Sequence, residues 1–201
     1  MKIDSPEALR ALYGAPGERS ARKQLVALDP HCRRFVALSP FVLLATSGAD
    51  GLCDVTPRGD APGFVAVADD RTLLMPDWPG NNRLDSLMNI LDRPGVGLLF
   101  VIPGVDETLR VNGTAEILVD PALLQRFAAD GRAPKTVLRI EVREAYLHCA
   151  KAFMRSRLWD PAAQVDRSSL PSMGQMLKDQ LNLEHGESQA EMIERYRATL
   201  Y

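Results

Sequence analysis

The feature that most constrains this chain is a succession of short β-prone apolar segments, each closed by turn chemistry. FVLLAT (41–46) ends in SGADG, a hairpin signal, and LCDVTP (52–57) follows as its partner. Arg58-Gly59-Asp60 leads through Pro62-Gly63 into FVAVA (64–68), and an Asp69-Asp70-Arg71 turn sends the chain back through TLLMPDW (72–78). Then come VGLLFVI (96–102), a PGVD turn, the near-alternating ETLRVNGTAEILVD (107–120), and KTVLRIEV (135–142). Six or seven strands linked in this way predict a mainly β fold with flanking helices, an antiparallel barrel that is closed or half-closed.

Helical patterns fill the remainder. Ser5, Pro6 and Glu7 form a helix start ahead of Leu9, Leu12 and Tyr13. Two short helices are predicted over 20–28 and 30–38, separated at Asp29-Pro30. Between the fourth and fifth strands, residues 81–92 place Leu84, Leu87, Met88 and Leu91 at helical spacing, which predicts one buried stripe. Arg93-Pro94-Gly95 stops that helix, because proline cannot continue the ladder. Further helices are expected from Pro121 to about Ala129, over 149–159, over 173–183 and over 188–200, the last two serving as an interface cap or a lid. A chain of 201 residues suits a single domain. Its expected parts are N-terminal helices (1–38), a barrel core (39–148) and a C-terminal helical segment (149–201).

Composition excludes several function classes. A net charge of −2 with no basic run argues against a nucleic-acid partner. No apolar run approaches the roughly 18–20 residues that span a bilayer, and MKIDSPEALRALYG lacks a signal-peptide core. Cys32, Cys53 and Cys149 are odd in number and far apart, which argues against both a disulfide framework and a zinc site. The expectation is a cytoplasmic protein that binds no metal and acts on a small molecule.

Hydrolytic motifs are missing: there is no G-x-S-x-G, H-E-x-x-H or P-loop. His148 and Cys149 are adjacent, and adjacent strand residues point to opposite faces, so they are not expected to act as a pair. The stronger signal is for an anion. Asn81, Asn82, Arg83 and Ser86 fall in the first turn of the predicted 81–92 helix, where free N–H groups and the dipole favour a phosphate. Arg83 is mildly disfavoured there unless an anion offsets it. Arg58 follows a strand end at Thr56-Pro57. Arg110 lies mid-strand, either paired inside the barrel or facing solvent beside Glu116 or Asp106. Lys151 and Arg155 share a helix face as a second cationic pair or as a solvated surface. Pro76-Asp77-Trp78-Pro79-Gly80 fixes an open turn whose backbone is free to meet a ligand edge, and Trp78 either stacks on that ligand or covers the barrel end.

In combination, T-P-R-G-D, L-L-M-P-D-W-P-G-N-N-R-L-D-S-L-M-N-I, G-L-L-F-V-I-P-G-x-x-E-T-L-R-V-N-G and H-C-A-K-A-F-M-R-S-R-L-W-D-P resemble the pyridoxamine 5′-phosphate oxidase-related FMN-binding split-barrel proteins, across about residues 38–162. The likeness is to an uncharacterised branch, not to the vitamin-synthesising oxidase. It implies an antiparallel split β-barrel, a homodimer, and FMN bound at the dimer interface. It places Thr56 and Arg58 by the cofactor, Asn81, Asn82 and Arg83 on its phosphate, and the backbone of Pro76 and Asp77 along its ring. It places Thr108 and Arg110 near the site, with Lys151, Arg155, Ser156 and Trp159 completing it from the same subunit or the partner.

The implied function is an FMN-dependent oxidoreductase. The alternatives are a storage or sensor module holding flavin, haem or a deazaflavin without turnover, and a barrel with no cofactor. Two departures from the oxidase bear on the reaction. Asn81-Asn82-Arg83 replaces a serine-arginine-lysine grip, and no C-terminal arginine and histidine motif occurs in 171–201. Pyridoxamine phosphate is therefore not the expected substrate.

Overall fold

The computed structural model describes residues 2–197 and 200. Seven strands run in chain order as β1 (Phe41–Ser47), β2 (Cys53–Gly59), β3 (Ala66–Val67), β4 (Thr72–Asp77), β5 (Gly95–Val101), β6 (Thr108–Leu118) and β7 (Thr136–His148). They form one antiparallel sheet in the order β2-β1-β5-β6-β7-β4-β3. Alternate residues of each strand point inward, as the two-residue period requires. Val42, Leu44, Leu98, Phe100, Leu109, Val111, Leu138 and Ile140 are all essentially inaccessible. Each such side chain stabilises the fold by about 1.5–3 kcal/mol relative to exposure.

The sheet curls until its ends face one another. Arg58 on β2 forms an ion pair with Asp77 on β4, although four strands lie between them in the sheet. No strand ladder joins β2 to β4 among the described residues, so the barrel is split there. The antiparallel split barrel implied by the sequence is the observed architecture.

The longest ladder, β6 with β7, carries a register shift between Asn112 and Gly113. Glycine is required at that bulge: a Cβ on Gly113 would collide with the backbone carbonyl oxygen of Glu141. Helix α3 (Pro30–Leu38) closes one end of the core. Asp29 caps it by accepting the Cys32 N–H at 2.7 Å, and this bond holds the Asp29 carboxyl below its usual pKa. Burial pushes the Cys32 thiol up to about 12.

Several elements differ from expectation. The helix predicted over 20–28 is only α2 (Glu18–Arg22), because Leu25 is drawn into a bridge with Ala145 of β7. The 64–68 strand shrinks to Ala66–Val67. Helix α1 (Pro6–Tyr13) forms with Ser5 as its cap but buries no residue. Past the barrel lie α5 (Pro121–Arg126), α6 (Lys151–Ser156), α7 (Met173–Leu181) and α8 (Gln189–Arg197). Residues 198, 199 and 201 of the last predicted helix and chain end lie outside the described residues.

The 81–92 helix is corrected most. Helix α4 spans Asp85–Asp92 and starts after Leu84, whose φ of 61° is left-handed. Asn81 accepts the Arg83 N–H through its side chain, a local turn that competes with helix, and Asn82 is also left-handed at φ 57°. Asn81, Asn82 and Arg83 therefore occupy a loop, not a first helical turn. The stripe is rotated as well. Ser86 and Ile90 are buried, while Leu84, Met88 and Leu91 are 50%, 61% and 75% exposed. Apolar residues wrap most of this helix, so periodicity alone did not select the inward face.

Two outcomes test this description. Gly113→Ala is expected to lower stability by about 2 kcal/mol or more, read as a fall in urea midpoint, since the backbone must shift to admit the methyl group. In the folded protein, iodoacetamide is expected to modify Cys53 and Cys149, which are exposed, and to reach Cys32 only after unfolding.

Candidate functional site at the barrel split

The split between β2 and β4 opens into a cleft of about 460 Å³, a size typical of small-molecule sites. Its walls come from four parts of the chain. β2 supplies Thr56 and Arg58, the end of β4 supplies Asp77, the loop before α4 supplies Asn81, Asn82 and Arg83, and the start of β7 supplies Lys135 and Thr136. Helix α4 is tied to β2 across the cleft floor: Thr56 Oγ1 and Ser86 Oγ lie 3.2 Å apart, and Asn89 donates to Asp54 at 2.7 Å. Asp77 is the hinge of the arrangement, since its carboxylate holds Arg58 while its carbonyl accepts the Lys135 N–H at 2.9 Å.

The electrostatics favour an anion. Three cations line the cleft against two carboxylates, Asp77 and Asp85. Arg58 and Arg83 are each partnered, Arg83 with Asp85 at 2.9 Å, which raises the Arg83 pKa. Among the described residues Lys135 Nζ has no hydrogen bond or carboxylate partner. Two buried polar atoms that line the cleft, Arg58 Nε and Thr136 Oγ1, also lack partners. Leaving such groups unpaired costs about 1–3 kcal/mol each, which a bound ligand would recover.

A family model for pyridoxamine 5′-phosphate oxidase matches residues 28–149. The chain belongs to the pyridoxamine 5′-phosphate oxidase family. No curated protein matches it by sequence. Among solved structures, a HupZ variant from Group A Streptococcus is 20% identical, with 60% of this chain and 99% of that chain covered, at a TM-score of 0.51. The Rv2991 protein of Mycobacterium tuberculosis is 20% identical over 71% of this chain and 94% of its own, at a TM-score of 0.46. A protein related to general stress protein 26, of the pyridoxinephosphate oxidase family, from Clostridium acetobutylicum is 18% identical over 59% and 85%, at 0.46. The first of these supports the fold.

The family resemblance named cofactor contacts from the same subunit or the partner, and within one protomer they fall in two clefts. Thr56, Arg58, Asp77, Asn81, Asn82 and Arg83 converge at the split. Pro76 lines a smaller hollow that shares the Arg58 and Trp78 wall. Thr108, Lys151 and Arg155 line a different cleft, of about 360 Å³, with His148 and Cys149. The two clefts stand at opposite ends of β7, at Thr136 and His148. Twelve strand steps between those residues correspond to about 40 Å of extended chain. Within one protomer they are separate clefts.

Arg110 is paired across to β7, and not beside Glu116 or Asp106. It lies 4.4 Å over the Tyr146 ring and 3.6 Å from Glu144, while Glu116 pairs with Arg139 instead. Ser156 donates to the Phe153 carbonyl, and Trp159 donates to the Val105 carbonyl and packs against Phe153, so both hold α6 in place. His148 and Cys149 line the same cleft because β7 ends at His148 and strand alternation no longer applies. Sequence reasoning missed Lys135 and Thr136. Their only sequence signal is a polar pair opening a strand, and barrel closure alone sets them beside Asp77.

Removing the Asp77 carboxylate in Asp77→Ala leaves a partly buried guanidinium unpaired. It is expected to cost about 2–3 kcal/mol in urea unfolding. Arg83→Ala, which breaks an exposed pair, is expected to cost about 0.5 kcal/mol or less.

Proposed function

We propose that the chain binds FMN in the cleft at the barrel split and acts as an FMN-dependent oxidoreductase on an unidentified small molecule. The observation that carries this reading is the convergence of Arg58, Lys135, Asn81, Asn82 and Ser86 on one cleft that also holds the unpartnered Arg58 Nε and Thr136 Oγ1. Such a donor-rich, cation-excess wall suits a phosphate and the polar edge of a flavin.

When bound, FMN supplies the hydride or electron chemistry, so the protein needs no acid–base dyad of its own. The work left to this chain is binding and orientation. The cationic side chains hold negative charge, and the loop of Asn81 and Asn82 presents amide donors. Trp78, Pro79 and Leu87 give the cleft apolar walls that limit water. Lys135, with no carboxylate partner, contributes the least neutralised positive charge and would favour an anionic ligand and an anionic reduced ring.

Homodimerisation belongs to the same proposal. The exposed stripe of Leu84, Met88 and Leu91 runs along the helix that walls the cleft, and a second copy covering it would shield both. Cys32, Cys53 and Cys149 are free, which supports a reducing compartment such as the cytoplasm. No helix among the described residues is long and apolar enough to cross a membrane.

The purified protein is expected to be yellow, or to become so with FMN, and to release a flavin on acid treatment. Arg58→Ala is expected to weaken FMN about tenfold or more, as loss of a charge-assisted contact predicts. Arg83→Ala is expected to weaken it less, because Arg83 is exposed and already paired. A colourless protein that ignores added FMN contradicts the proposal. FMN held without oxidation of reduced nicotinamide or any other donor makes the protein a flavin store or sensor.

A further inference from the structure

Two donors in the split cleft have no partner within the described residues, and they lie on the same side of it as Asp77. Thr136 opens β7 and stands opposite Asp77 in the β4–β7 ladder. Its hydroxyl is shielded from solvent, yet no backbone or side-chain group of the described residues bonds to it. A buried hydroxyl left unpaired lowers the stability of the fold that holds it. Valine has nearly the same shape and the same preference for a strand, and it carries no such cost.

Arg58 supplies the other donor. Its Nη1 is taken by the Asp77 carboxylate, with 26% and 12% of the two side chains exposed, and its Nε is buried without a partner. In a planar guanidinium the Nε–H runs parallel to one Nη2–H, on the edge away from Nη1. Asp77 therefore fixes the plane of Arg58 from one side and leaves the Nε–Nη2 fork unengaged on the other. Such a fork fits a planar pair of acceptors. The ion pair is neutral as a whole, and its carboxylate repels a phosphate dianion set against the same guanidinium. Lys135 has no carboxylate partner and, beside Asn81 and Asn82, carries the positive charge that a phosphate needs.

We propose that Thr136 is a ligand-binding residue of the split cleft, and that its hydroxyl and the Nε–Nη2 fork of Arg58 together hold the planar acceptor edge of the flavin ring. The phosphate then belongs with Lys135 and the loop of Asn81 and Asn82. Asp77 is a positioning residue that acts through Arg58. On the proposed flavin reading, on which this assignment rests, each end of the ligand has its own wall. The ligand-free protein bears the cost of two unpaired donors, and ring binding removes it.

The probes are FMN and riboflavin, which share the ring and differ by the phosphate, each titrated into the flavin-free full chain and followed by flavin fluorescence. Thr136→Val is expected to weaken both flavins by the same factor, about tenfold, as loss of one buried donor predicts. The same variant, ligand-free, is expected to melt about 2 °C above the wild type, because an unpaired hydroxyl is gone. Thr136→Ser keeps the hydroxyl and is expected to restore both affinities. Arg58→Lys keeps the charge and loses the fork, and is expected to weaken riboflavin as far as Arg58→Ala does. Asp77→Asn still accepts from Nη1 and is expected to retain riboflavin, where Asp77→Ala loses it about tenfold.

Unchanged affinity for both flavins in Thr136→Val overturns this assignment alone and leaves the flavin reading standing. A ligand-free Tm below that of the wild type also overturns it, because the hydroxyl then has a partner in the fold. So does weakening confined to FMN, or a wild type that holds FMN and ignores riboflavin, since binding then resides at the phosphate. Equal losses in Asp77→Asn and Asp77→Ala remove the positioning role of Asp77. A wild-type protein that takes up neither flavin removes the flavin reading and this assignment together.

Discussion

The ion pair between Arg58 and Asp77 is the contact on which the rest of the molecule turns. A seven-stranded sheet has two edges, and exposed edges invite wrong pairing. Here the curl of the sheet brings β2 round to β4, but a side-chain pair completes the approach where a ladder of backbone bonds would otherwise do so. Because the junction is made by side chains, it leaves space between the strands. That space is the cleft, and Asp77 shapes it from both sides, through its carboxylate to Arg58 and its carbonyl to Lys135.

Everything that lines the cleft depends on that junction. Thr56 and Arg58 alternate along β2 and so share a face. Thr136 stands opposite Asp77 in the β4–β7 ladder, and α4 is anchored to β2 through Ser86 and Asn89. The far cleft is independent of this junction. It depends on where β7 ends, because Thr108 pairs with His148 and the chain then turns into α6. Thus one long strand borders both clefts, one at its first residue and one at its last.

Much of the fold was legible in the sequence because hairpin turns and alternating strands are local signals. FVLLAT, LCDVTP and TLLMPDW became β1, β2 and β4 nearly as read, and Pro30–Leu38 is a helix to the residue. The errors arose where tertiary contacts overrode local pattern. Leu25 bridges to β7 instead of continuing a helix, and α4 turns Ile90 inward although Leu84, Met88 and Leu91 fit a stripe equally well. For the site, Thr56, Arg58, Asp77, Asn81, Asn82 and Arg83 were identified by motif and do converge, but as a loop and two strands, not as a helix start. Lys135 and Thr136 could be found only after closing the barrel. That the named contacts fall in two clefts of one protomer follows from the length of β7, a property that no motif records.

The central claim is that the split receives FMN. Hydrogen exchange measured with and without added FMN tests it most directly, since backbone amides around an occupied site exchange more slowly. The account predicts added protection at residues 54–58, 79–87 and 135–136. Protection confined to 149–155, or no change anywhere while FMN is bound, would contradict it.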